Sequence, residues 1–188
     1  MLEAGNYFDE DDSDEDGLGV AQLLIECGAD VNARDEDHKT PLHLTSYFPE
    51  LKLVQVLLDH GANVNAEDNR SQTPLHRVLE AEDYSDKDGF GVAQLLVEHG
   101  PGADANTLDN NHETPLHLAS RLVSLEVAWI LLKHGADLYV ENKECKFPFQ
   151  LVRESIREET KRLSSEYSTI RRARRAQSVA LMGLLYGC

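Results

Sequence analysis

The chain has 188 residues, 41% of them hydrophobic, and a formal net charge of −16, which fits one domain or one array and argues against generic disorder. No apolar stretch approaches the roughly 20 residues of a membrane span, and the acidic opening MLEAGNYFDEDD lacks the apolar core of a signal peptide. Cys27, Cys145 and Cys188 are odd in number and widely spaced, so they suit a reducing compartment such as the cytoplasm better than a disulfide framework or a zinc site. The charge is uneven: residues 147–188 hold eight Lys/Arg and four Asp/Glu, a net +4, which leaves −20 on residues 1–146. Such a field repels nucleic acid and membrane surfaces and favours basic protein partners.

Residues 1–33 open with an acidic loop and lead into an apolar helix, GLGVAQLLIECG at 17–28, stopped by Gly28. Residues 34–66 carry TPLH at 40–43, then LKLVQVLLDHG at 51–61. Thr is a good N-cap, Pro suits the first helical turn, and Gly suits the position past a helix end, so each unit reads as a short helix followed by a longer apolar one. Residues 67–107 repeat this with TPLH at 73–76 and GFGVAQLLVEHG at 89–100; residues 108–140 repeat it with TPLH at 114–117 and LEVAWILLKHG at 125–135. Polar turns follow: ADVNARD, ANVNAED, PGADANTLD and ADLYVEN. In residues 141–188, FPFQ at 147–150 stands where TPLH is due. Here RESIREETKRL is expected to continue the first helix, SSEYS to break it, and TIRRARRAQSVALMGLLYG to form a basic second helix that caps the array.

The first two TPLH copies lie 33 residues apart and the next two 41. Six of the eight extra residues fall within EAEDYSDKDGF, between the helices, and the other two are assigned to Pro101–Gly102, after the second helix. The opening MLEAGNYFDEDDSDEDGLGVAQLL mirrors VLEAEDYSDKDGFGVAQLL at 78–96, with Leu2-Glu3-Ala4 matching Leu79-Glu80-Ala81. Insertions in alternate units point to duplication of a two-repeat block.

A period of about 33 residues with T-P-L-H resembles the ankyrin repeat family, over nearly the whole chain. The alternating DYSD-type loops resemble large arrays found in fungi, of which this chain would be a C-terminal portion. The resemblance implies an all-α-dominated solenoid of stacked helix pairs with β-hairpin fingers between them. It implies a non-enzymatic module that recognises a protein partner through its concave face, without a cofactor. The binding positions it implies are the finger tips Glu36, Asp37, Lys39, Asn69, Arg70, Gln72, Asn110, Asn111, Glu113, Lys143 and Glu144, with Tyr47, Phe48, Arg121 and Leu122 on the first helices. The adjacent aromatics Tyr47 and Phe48 are of the hot-spot kind. Trp129 stands where Gln22, Gln55 and Gln94 stand in the other units and marks a second contact surface on the convex back, or packing against a neighbouring helix. The first unit lacks its TPLH, so its helix at 18–27 is expected to lack cover and the chain either to continue an upstream array or to self-associate.

The remaining chemistry is thin. Stacked repeats set His43, His76 and His117 about 10 Å apart, too far for shared metal ligation or a nucleophile–base pair; the resemblance makes them, with their threonines, structural latches. DDSDEDG at 11–17 holds D-x-D-x-D-G at Asp12, Asp14, Asp16 and Gly17, half a calcium loop, but Leu23 occupies the twelfth position, which requires a bidentate Glu. A calcium-responsive acidic module using loops 9–17 and 83–89 is one alternative function. Nucleic-acid contact or a nuclear signal at Arg171, Arg172, Arg174 and Arg175 is another, opposed by the acidic body. The resemblance implies Gly two residues before each Thr; His38, Ser71, His112 and Cys145 stand there instead. A positive φ at these positions costs a non-Gly residue about 1 kcal/mol.

Overall fold

The computed structural model describes residues 13–47, 49–81, 87–99, 102–122 and 126–152, together with Ser165 and Thr169. Seven α-helices lie among the described residues: α1 Ser13–Glu26, α2 Pro41–Leu44, α3 Leu51–Asp59, α4 Pro74–Glu80, α5 Lys87–Glu98, α6 Pro115–Arg121 and α7 Glu126–Lys133. A 3-10 turn, Pro148–Leu151, follows. The first helices form one layer, in which α2 packs on α4, α4 on α6, and α6 on the 3-10 turn. The second helices form the other, with contacts α1–α3, α3–α5 and α5–α7.

The core runs between the layers. Leu42, Leu75 and Leu116, each the third letter of a TPLH, are almost fully buried, and so are Leu57, Leu96 and Leu131 opposite them. Burying a leucine of this kind stabilises the fold by about 1.5–3 kcal/mol. Close approach of neighbouring second helices is helped by Gly91 in α5, where an added Cβ would lie 3.0 Å from a Leu51 methyl.

The second helices end on a left-handed glycine: Gly28, Gly61, Gly102 and Gly135 have φ of 90°, 83°, 71° and 94°. Ala29, Ala62 and Ala136 then donate to the carbonyls of Leu24, Leu57 and Leu131, five residues back, as in a Schellman cap. In the third unit Ala103 donates to Leu96, seven residues back. The left-handed glycine before this bond is Gly102, and Gly100 and Pro101 lie outside the described residues. α5 ends at Glu98, so the expected insertion at Pro101–Gly102 falls after the second helix. At Gly102 a side chain would run into the Val97 carbonyl, so glycine is required by space as well as by φ.

Other expectations meet the structure as follows. No described residue lies in a β-strand: each finger is a tight turn closed by one hydrogen-bonded pair, such as Asp35 N–H to Lys39 O at 3.0 Å, too short a ladder for strands. The acidic stretch at 13–17, expected as a loop, is the start of α1, and Lys87–Gly89 likewise belong to α5. The 3-10 turn of the fifth unit ends at Leu151 and Val152 is extended; RESIREETKRL at 153–163, expected to continue the first helix, lies outside the described residues. Of SSEYS, expected as a break, Ser165 alone lies among the described residues, and it is helical, as is Thr169, whose hydroxyl donates to the Ser165 carbonyl at 3.0 Å. Back-bonding of this kind is how Thr is accommodated in a helix.

Candidate functional site: the concave face and the finger tips

The fingers are built from a repeated local device. Asp35 Oδ1 accepts from the N–H groups of Asp37 and Lys39 at 2.9 and 2.8 Å. Asp68, Asp109 and Asn142 do the same in the next three fingers. This fold of the chain puts His38, Ser71, His112 and Cys145 at φ between 55° and 61°, the left-handed region that their places in the finger imply. Each finger also bonds to its predecessor: Asn69 N–H to Asp37 O, Asn110 N–H to Arg70 O and Lys143 N–H to Asn111 O, all at 2.9–3.0 Å. The tips thus form a continuous backbone-bonded row.

Behind the fingers sit the latches. His43 Nδ1 accepts from the Thr40 N–H at 3.0 Å, so its proton is on Nε2, which donates to the Gln72 carbonyl at 3.0 Å. His76 bonds the Glu113 carbonyl and His117 the Lys146 carbonyl in the same way. Burial pushes all three imidazoles below their ordinary pKa, and the carbonyl bonds pull weakly the other way. They are neutral rivets between repeats. In FPFQ, Gln150 Oε1 takes over half the role, accepting from the Phe147 N–H at 2.7 Å. The histidines before the glycines are caps: Nδ1 of His60 and of His134 bonds the carbonyl four residues back.

The concave row lies on this frame. Glu36, Asp37, Asn69, Arg70, Asn110, Asn111, Lys143 and Glu144 are exposed at the tips. Lys39 is half-buried and pairs with Asp37 at 2.9 Å, which holds the Asp37 carboxyl below its ordinary range; Lys146 does the same for Glu144. Gln72 and Glu113 are buried rather than presented. Gln72 bridges Arg77 and Glu80, and Glu113 is clamped by both terminal nitrogens of Arg121 and by Asn142. On the first helices Tyr47 is exposed, and the Arg77 guanidinium lies over its ring, 5.5 Å from the centroid, while donating to its hydroxyl. Arg121 is exposed and Leu122 half-buried; Phe48 lies outside the described residues.

Arg77 and Glu80 belong to this row and are absent from the positions expected on sequence. They stand four and seven residues after Thr73, as Tyr47 stands seven after Thr40 and Arg121 seven after Thr114, so the register from each Thr would have found them. On the back, Trp129 is half-buried with Lys133 5.7 Å from its ring centre, a contact one helical turn on that replaces the Gln55–Asp59 and Gln94–Glu98 bonds of the other repeats. Asp12 and the arginines at 171–175 lie outside the described residues, and Asp14 and Asp16 are on helical backbone that cannot wrap a calcium ion as a loop does. Cys27 and Cys145 are free and exposed, and among the described residues no helix is long and apolar enough to cross a membrane.

The family model for ankyrin repeats (3 copies) matches residues 14–86 and 84–142. The chain belongs to the ankyrin repeat family. Protein fem-1 homolog A of Danio rerio is 62% identical over 29 residues, 15% of this chain and 5% of its own length. Protein fem-1 homolog C of Homo sapiens is 59% identical over a stretch of the same size. The similarity to these proteins is one repeat long, a small fraction of either relative. Ankyrin repeats generally mediate protein–protein interaction, and the stacked helix pairs seen here are those of that scaffold.

Proposed function

We propose that the chain is a non-enzymatic recognition module whose concave face, from the finger tips to the first helices, binds a protein partner. The observation that supports this most is the side-chain relay Tyr47–Arg77–Gln72–Glu80, with its counterpart Arg121–Glu113–Asn142 one repeat on. It fixes long side chains that would otherwise lose about 0.5–1.5 kcal/mol each on ordering at an interface. Tyr47 supplies an aromatic anchor at one end of this strip and Arg121 a cation at the other, both residue types that dominate binding energy. The strongly acidic body favours a basic partner by raising its encounter rate, and free, exposed Cys27 and Cys145 favour a reducing compartment.

The test is capture of partners from native lysate by the wild type, by Tyr47→Ala and by Tyr139→Ala, identified by mass spectrometry. A partner held by wild type and Tyr139→Ala and released by Tyr47→Ala supports the concave reading. Equal retention by all three would place binding elsewhere. For a retained partner, the association rate is expected to fall as salt rises, with dissociation changing little.

A further inference from the structure

The formal net charge of −16 is not shared by the concave face. α1, α3 and α5 each end on an acid, Glu26, Asp59 and Glu98, and Asp30, Asp104 and Asp137 stand in the turns that follow second helices, so acid gathers on the second helices and their turns. On the concave side almost every carboxylate has a cation of its own. Asp37 pairs with Lys39 at 2.9 Å, Glu80 with Arg77 at 3.6 Å and Glu144 with Lys146 at 2.6 Å, and Glu113 is clamped by Arg121.

Three charges are left over at the finger tips. Glu36, Arg70 and Lys143 are exposed and form no ion pair among the described residues. Their order along the array is definite. Glu36 stands on the first finger, in the repeat of the exposed Tyr47; Arg70 stands on the second and Lys143 on the fourth, and the third finger between them carries the amides Asn110 and Asn111. The backbone bonds from Asn69 to Asp37, Asn110 to Arg70 and Lys143 to Asn111 hold these tips in one row. The row therefore runs from an aromatic with a free acid to two free cations that frame a neutral tip. With repeats about 10 Å apart it spans about 30 Å, the reach of about nine extended residues.

We infer that the concave face takes an extended partner segment of bipolar charge, with a Lys or Arg against Tyr47 and Glu36 and an Asp or Glu, about three to nine residues away, against Arg70 and Lys143. This rests on the concave reading proposed above and adds the charge order of the partner to it. A cation beside the Tyr47 ring gains from the ring face as well as from Glu36. At the other end Arg70 and Lys143 repel a segment that is basic throughout, which the acidic body as a whole would otherwise attract. Steering and selection are thereby divided: the body draws basic partners in, and the tips choose among them.

The test uses synthetic peptide pools of about twelve residues, long enough to span the row, with both termini blocked and mixed uncharged interiors. One pool carries an Arg pair at one end and an Asp pair at the other, in both orders; a second carries Arg pairs at both ends and a third Asp pairs at both ends. Retention on the immobilised wild-type chain at physiological salt is measured for each. The bipolar pool is expected to be held about tenfold better than either of the others. In the Arg70→Gln/Lys143→Gln variant, its folding checked by circular dichroism, the all-basic pool should rise to match the bipolar one. Tyr47→Ala should weaken every pool that binds. An all-basic pool held as well as the bipolar one by wild type, or a preference unchanged by the Gln substitutions, would overturn the inference; if Tyr47→Ala still weakened that binding, the concave reading would stand without it. Binding that Tyr47→Ala leaves unchanged, or no retention of any pool at millimolar peptide, would count against both.

Discussion

Ser71 and His112 hold φ of 55° and 58°, a region that a residue with a Cβ enters at a cost of about 1 kcal/mol. The fingers impose it, because Asp68 Oδ1 and Asp109 Oδ1 must reach N–H groups on both sides of that residue. Ser71→Gly and His112→Gly are therefore expected to stabilise by about 0.5–1 kcal/mol each, the gain being trimmed by the extra freedom of glycine in the unfolded chain. Urea unfolding with an unchanged m-value checks this. Gly102→Ala should do the reverse, by about 2 kcal/mol or more, since the left-handed cost is joined by a contact with the Val97 carbonyl. The histidine latches give a second outcome at this scale. Their folded pKa values lie below the ordinary value because burial opposes the charge. The unfolded chain then binds more protons, so stability is full above about pH 6.5 and is lost as pH falls through that value towards the folded pKa. His76→Gln, which borrows the Gln150 contact, should flatten part of that loss in melts between pH 7.5 and 5, at the expense of stability at neutral pH.

The Asn ladder joins whole elements. Asn106 Oδ1 accepts from Asp137 N–H at 2.8 Å and its amide donates to Gly135 O at 3.1 Å, tying the third turn to the fourth. Asn106→Ala loses both bonds and is expected to cost about 1–2 kcal/mol, with faster amide exchange at Asp137. At the next step of the ladder stands Tyr139, 62% exposed, so Tyr139→Asn should change stability by less than about 0.5 kcal/mol. The elements themselves were legible in the sequence for a physical reason. T-P-L-H states a cap, a first turn, a core plug and a rivet in four letters, and G-A-D/N states a stop and a turn. What could not be read was which glycine closes the third cap. The Gly100–Gly102 segment spells two glycines, and only the bond from Ala103 to Leu96 shows that the second one closes the cap. The helical starts of α1 and α5 were hidden because Asp, Glu and Gly there read as loop by propensity, while acidic residues in a helix's first turn are favoured by its dipole. On the concave face, exposed tips followed from register alone. The inward turn of Gln72 and Glu113 did not, because it depends on Arg77 and Arg121 reaching back from the first helices.

At the scale of the molecule the array is one-dimensional: each repeat touches only its neighbours, so stability is a sum of units and interfaces and falls off towards an uncovered end. The same leucine then has different worth along the chain. Leu96, on α5, is fully buried, whereas Leu24, on α1, is 55% exposed. Leu96→Ala should cost about 2–5 kcal/mol, the range for emptying a packed site. Leu24→Ala should cost less than about 1 kcal/mol, because most of that side chain has not left water. Chemical unfolding measures the pair, and hydrogen exchange supplies the mechanism: amides of α1 should exchange through local opening, while those of α5 exchange only near the global unfolding free energy. If Leu24→Ala proved as damaging as Leu96→Ala, α1 would have to be covered in solution, and the gradient from an open first unit to a closed interior would be wrong.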